Sequence, residues 1–136
     1  MDRTLVIVKP DAVRRGLIGE IVQRLERRQL RVVEAQLRTI DRDSAQRHYA
    51  EHVGKAFYEP LVDFITSGPS LLLVVEGPEE TVKVVRALMG ATDPKDAAPG
   101  TIRGDLATNT RENLIHGSDS AASVAREIEI FFPHLA

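Results

Sequence analysis

The sequence has no cysteine and no tryptophan, only 4% aromatic residues, and no excess of either charge. Without cysteine there is no disulfide framework, no thiol nucleophile and no cysteine-based zinc site. The net charge of −2 gives no basic face by composition, so no nucleic-acid partner is expected. No apolar run approaches the roughly 20 residues of a membrane span. The first such run, Leu5-Val6-Ile7-Val8 behind Met1-Asp2-Arg3, is also too short for a signal peptide, so a cytoplasmic protein with no membrane partner is expected. Several nucleotide and hydrolase signatures are missing too. Gly54-Lys55 is followed by Ala56, and Tyr49 stands where a phosphate-binding loop would need its first glycine. Ser118 follows Gly117, but His116 and Asp119 are its chain neighbours rather than facing partners, which argues against a serine triad.

A chain of 136 residues with 43% hydrophobic and 28% charged residues reads as one globular domain over 1–136, with no repeat or linker. Residues 5–8 predict a strand buried on both faces, ending at Lys9-Pro10-Asp11. Beyond Gly16, Ile18, Ile21, Val22 and Leu25 share a helical face, and residues 31–40 alternate as a strand with one wet face. Asp41 or Asp43 suits the cap of a helix carrying Ala45, His48, Tyr49 and His52 in phase, and Phe57, Leu61, Phe64 and Ile65 mark a second helix. Residues 71–75 predict another buried strand, and Gly77-Pro78-Glu79-Glu80 predicts the opening of a helix with Val82, Val85, Leu88 and Met89 inward. Residues 90–105 read as a long irregular loop anchored by Thr92, Arg103 and Asp105. Residues 113–116 then form a last strand, with Ser118 or Asp119 as cap types for a final helix starting near Ser120. This order predicts an α+β fold: a ferredoxin-like sandwich with a four-stranded antiparallel sheet covered by helices.

Two constellations carry chemistry. His48-Tyr-Ala-Glu51-His52 reads H-x-x-E-H, the inverted zinc-peptidase pattern, with Glu127 as a possible distant third ligand. So short a pattern arises easily by chance in a polar helix. The other constellation is cationic. Lys9, Arg86 and Arg103, with Thr92, Asn113 and His52, would hold a polyphosphate and a sugar if they converged on His116. Taken alone, His116 reads as a structural histidine in a strand, a turn and a cap, and each cation as a solvated surface charge.

The stretch Asn113-Leu-Ile-His116-Gly-Ser118-Asp119-Ser120 resembles the signature of nucleoside diphosphate kinases. The resemblance runs along the chain through Thr4-Leu-Val-Ile-Val-Lys9-Pro10-Asp11, His48-Tyr49, Thr92-Asp93-Pro94, Pro99-Gly100-Thr-Ile-Arg103-Gly104-Asp105 and Glu127-Ile128. It implies the ferredoxin-like fold and transfer of the terminal phosphate of a nucleoside triphosphate to a nucleoside diphosphate, by ping-pong through a phosphohistidine at His116. It further implies that Glu127 bonds one ring nitrogen of His116 while Ser118 braces the carboxylate and Tyr49 packs nearby. Lys9, Arg86, Arg103 and Thr92 would carry phosphates, Asn113 and Lys9 the sugar hydroxyls, and His52 the innermost phosphate. Phe57 would stack on the base with Leu61 behind it. Mg²⁺ would arrive on the nucleotide, with Asp119 reaching it through water and no direct protein ligand. Homo-oligomers are implied, a hexamer in preference to a tetramer, with the 90–105 segment in its contacts. Thr108-Asn109-Thr110 departs from an apolar patch common on the far side of the base slot, which predicts weaker stacking there. A catalytically silent nucleotide-binding relative and the zinc peptidase are the alternatives.

Overall fold

The computed structural model describes residues 2–136. Its four strands are β1 (Asp2–Val8), β2 (Arg31–Thr39), β3 (Pro69–Gly77) and β4 (Ile115–Gly117). They form one antiparallel sheet in the order β2-β3-β1-β4. The central strand β1 explains the layering. Val6 and Val8 face a core shared with α2 (Ile18–Arg27) and α5 (Thr81–Met89), through Ile21, Leu25, Val85 and Met89. Leu5 and Ile7 face a second core with α3 (Arg42–His48), α4 (Tyr58–Ile65) and α7 (Ala121–Phe131), through Ala45, Val62, Ile65, Ile128 and Phe131. A run apolar at every position is what a strand buried on both faces requires. The expected four-stranded α+β sandwich is thus the observed one.

The boundaries differ from expectation in several places, each for a local reason. α1 (Pro10–Arg14), which the sequence reading passed over, begins directly after β1 because Pro10 cannot continue the ladder but fits the first helical turn. α3 stops at His48, and a separate 3-10 turn covers Ala50–His52, so His48 and His52 do not share one helix. α5 begins only at Thr81, because Glu80 is left-handed at φ +51° and leaves Pro78 and Glu79 in the preceding turn. The stretch read as irregular contains a 3-10 turn at Pro94–Asp96 and α6 (Ile102–Leu106), capped by the side chains of Asp93 and Thr101. Ser120, not Ser118 or Asp119, caps α7 in a reciprocal pair with Ser123. β2 does have one wetter face, but a bulge between Val32 and Glu34 places Ala35, Leu37 and Thr39 on it, leaving Leu37 60% exposed.

Candidate active site

β4 lies against β1 with His116 opposite Ile7, which turns the imidazole toward the layer built by α3 and α7. The approach to it is strained. Leu114 is buried at φ +77°, and Ile115 N–H donates to Asn113 O across it at 2.9 Å, closing a γ-turn that L-residues rarely adopt. Neighbouring groups hold this bend on every polar atom. Leu114 N–H donates to the Asp11 carboxylate at 3.2 Å, and Lys9 N–H donates to Leu114 O at 2.9 Å. The Arg103 guanidinium donates to the carbonyls of Asn113 (3.2 Å), Ile115 (2.6 Å) and Gly90 (3.1 Å). Arg103 is therefore part of the scaffold as well as of the cleft wall.

The ring of His116 is held from one side. Its Nε2 donates to Glu127 Oε1 at 2.8 Å, and Ser118 Oγ donates to the same oxygen at 2.8 Å. Nδ1 is left as the free ring nitrogen. Glu127 sits on the buried edge of α7, where the histidine and serine meet it. Burial works against its charge, yet the hydrogen bonds and charges of His116, His48 and Ser118 hold its carboxyl below the usual range. His48 stands edge-on to His116, with ring centroids 4.6 Å apart, and is buried against Phe131. Burial, then the neighbouring His116, pushes its pKa down to about 3, so it is neutral. Burial and the Glu127 charge raise the phenol of Tyr49, which lies beside His48 at 4.6 Å between centroids.

The predicted cations do converge. Lys9, Arg86 and Arg103 line one cleft of about 280 Å³ with Thr92, Asn113, Tyr49, His52, His116, Asp119 and Glu127. Lys9 Nζ donates to Asn113 Oδ1 at 2.9 Å, and Asn113 Nδ2 donates to Thr92 O at 3.1 Å. Arg86 donates to Gly117 O at 2.9 Å. None of the three cations is paired with a carboxylate among the described residues. Burial and the neighbouring Arg103 bring the Lys9 ammonium down to about 8, and burial and Arg86 bring Arg103 down to about 10. The charges of Asp11 near Lys9 and of Asp119 near Arg86 offset this crowding only in part, so three cations in one cleft make a site that an anion would relieve. Asp119 sits at the cleft's lip, its carboxyl held low by hydrogen bonding to Ser123.

Other predicted residues lie elsewhere. Ser118 is buried beneath the cleft rather than lining it. Phe57 is 42% exposed and joins the cleft only through His52, at 5.1 Å between ring centroids, with Leu61 half-buried behind it on α4. Thr108, Asn109 and Thr110 are outside the cleft lining. The zinc-peptidase pattern fails as geometry: His48 is buried on α3, whereas His52 lies beyond Tyr49 and approaches Glu51 at 3.7 Å. Sequence reasoning missed His48 and Arg126 as members of the site. Arg126 donates to His48 O at 3.3 Å and lies 3.8 Å from Glu127 Oε2, and as an exposed helix arginine it carried no signal in the sequence.

Comparison with known proteins agrees with this geometry. The family model for nucleoside diphosphate kinase matches residues 2–136. A nucleoside diphosphate kinase of Streptomyces avermitilis is 60% identical over 132 residues, covering 96% of each chain. A halophilic nucleoside diphosphate kinase from Halobacterium salinarum in complex with CDP superposes with a TM-score of 0.93 at 53% identity, over 96% of this chain and 87% of that one. A nucleoside diphosphate kinase family protein from Babesia bovis gives a TM-score of 0.94 at 44% identity, over 98% and 90% of the two chains.

Proposed function

Because the chain belongs to the nucleoside diphosphate kinase family and so moves a terminal phosphate between nucleotides, we propose that it does this in two half-reactions through His116. The observation that carries the proposal is the free Nδ1 of a ring whose Nε2 is tied to Glu127, set in a cleft walled by three cations that form no direct ion pair among the described residues. The Nδ1 lone pair attacks the terminal phosphorus of a bound triphosphate as the bond to the bridging oxygen breaks, and the diphosphate leaves with that electron pair. A terminal oxygen of a second diphosphate then takes the phosphoryl group back. A neutral imidazole needs no activating base, unlike a serine hydroxyl. The attacking ring becomes cationic, and its Nε2–H bond to a buried carboxylate strengthens as it does so.

Lys9, Arg86, Arg103 and Thr92 take the phosphates, Asn113 and Lys9 the sugar hydroxyls, and His52 the innermost phosphate, while Tyr49 packs beside the histidine pair. Phe57, backed by Leu61, stacks on the base, and stacking tolerates any base. The pyrimidine nucleotide bound by the Halobacterium relative supports this breadth. The polar Thr108-Asn109-Thr110 segment adds little on the base's other side. Mg²⁺ fits a cationic cleft with the ionised carboxylate of Asp119 at its lip, the Glu127 carboxylate being taken up by His116 and Ser118, since that ion keeps its waters and binds phosphates. When bound it neutralises phosphate charge.

We further propose a homo-oligomer, a hexamer rather than a tetramer, with the 90–105 segment in its contacts. The edge position of β2 and its exposed Leu37 support association. Light scattering on the eluting protein gives the subunit number. A cytoplasmic location belongs to the same reading; among the described residues no helix is long and apolar enough to cross a membrane. Initial rates with ATP and GDP test the mechanism: parallel double-reciprocal lines support two half-reactions, and intersecting lines exclude them.

A further inference from the structure

We propose that His48, His116 and Glu127 form a binding site for a zinc-like transition-metal cation, and that its occupation silences the cleft. Each residue offers one ligand atom, and the three atoms lie within 4.8 Å of one another. No other such trio of histidine and carboxylate atoms occurs among the described residues. The trio takes one histidine from the H-x-x-E-H pattern and the distant Glu127, and substitutes His116 for His52.

An independent observation points to a ligand. His48 Nδ1 is buried with no hydrogen-bond partner, on a side chain only 3% exposed, and it faces Glu127 Oε2 at 3.9 Å. His116 Nε2 lies 2.8 Å from Glu127 Oε1. Zinc binds imidazole nitrogen and carboxylate oxygen at about 2.0–2.2 Å, which sets tetrahedral ligand atoms roughly 3.4 Å apart. The His116–Glu127 contact must open by about half an ångström, the His48–Glu127 contact must close by as much, and the remaining pair, within 4.8 Å, must also draw in, which a turn of the carboxylate and of the two rings would supply. The fourth position is left for water from the cleft. Two imidazoles and one carboxylate suit zinc, cobalt or copper, whereas magnesium prefers oxygen alone. The cations facing the site are Arg126, 3.8 Å from Glu127 Oε2, and Lys9, Arg86 and Arg103 in the same cleft. They make it weaker than a dedicated structural site and therefore reversible.

Binding has a specific consequence for His116. In the metal-free ring Nε2 carries the proton and Nδ1 the lone pair. A metal on Nε2 takes that nitrogen's electron pair, and the neutral ring then carries its single proton on Nδ1. No proton is released overall, but the attacking nitrogen is capped. This consequence rests on His116 being the nucleophile; the binding itself does not.

The test uses nucleotide-free full-length protein in a non-chelating buffer. Co²⁺ is titrated by visible absorption, Zn²⁺ by calorimetry, and the His116 ring nitrogens are followed by ¹⁵N NMR. Expected are one equivalent bound, an intense four-coordinate cobalt band, movement of the His116 proton to Nδ1, and at least about tenfold weaker binding in both His48→Phe and His48→Gln. His48→Phe keeps an aromatic ring in the buried site, and melting curves verify that both variants fold. Unchanged affinity in both variants, or binding abolished by His134→Ala at the exposed His134–Glu34 pair, overturns the site. Labelling by γ-labelled ATP is then compared with and without bound metal. Undiminished labelling of the metal-loaded protein overturns the silencing. No label on metal-free protein instead refutes His116 phosphorylation, and leaves the site to the cobalt and calorimetric results.

Discussion

Replacing Glu127 by glutamine isolates the charge behind the attacking ring. The side chain is 3% exposed, and its Oε1 takes hydrogen bonds of 2.8 Å from both His116 Nε2 and Ser118 Oγ. Glutamine fills the same space and still accepts a bond from the ring, so what is lost is the negative charge. A hydrogen bond to a charged partner contributes about 1.5–3 kcal/mol, against about 0.5–1.5 for a neutral pair. The difference of about 1–2 kcal/mol falls mainly on the transition state, where the ring becomes cationic, and corresponds to a roughly 5- to 30-fold slower phosphorylation step. Rapid quenching after mixing with γ-labelled ATP reads this step directly. The reasoning expects a slower rate with nucleotide affinity held within about twofold. An unchanged rate, or a loss confined to affinity, would refute the idea that Glu127 acts by stabilising the charged ring.

Further outcomes follow from four other residues, Lys9, Arg103, Phe57 and Gly117. Lys9 titrates near 8 in the folded chain against 10.5 ordinarily, so above that pH its charge, and with it kcat/KM, should fall about tenfold per unit; Lys9→Met should lower and flatten this alkaline limb. Between those two values the unfolded chain holds a proton the folded chain has released, so denaturation midpoints should rise with pH across the window in the native protein and not in Lys9→Met. Arg103→Lys cannot span the three carbonyls of Asn113, Gly90 and Ile115, and urea unfolding should show a loss of roughly 1–3 kcal/mol. Phe57→Ala should weaken GDP and CDP alike by about 1–3 kcal/mol, and a change limited to one base would contradict stacking as the base contact. In Gly117→Ala the new methyl would lie 2.6 Å from the sulfur of buried Met89, so thermal melting should reveal a cost of about 1–3 kcal/mol.

The sandwich was legible because β1 is apolar at every position from Leu5 to Val8 and the helices repeat their apolar residues in phase, signals that depend only on neighbours in the chain. The cations were legible as individuals, and their order along the chain resembled one family. What stayed hidden were relations that exist only after folding. Arg103 reads as a loop charge, yet most of its bonding goes to main-chain carbonyls of a bend whose strain at Leu114 no residue type announces. His48 was paired in the sequence with His52 by spacing, but the helix ends between them and burial joins it to His116 instead. Glu80 in the left-handed region delayed α5, since glutamate carries no preference for such a turn.

The central claim is tested most directly by incubating the protein with γ-labelled ATP and Mg²⁺ in the absence of any acceptor, then locating the label. The account predicts about one label per competent chain on His116, stable in alkali, lost in acid, absent in His116→Ala, and transferred to GDP when that is added. Label on another residue, or transfer to GDP at undiminished rate by His116→Ala, would contradict it.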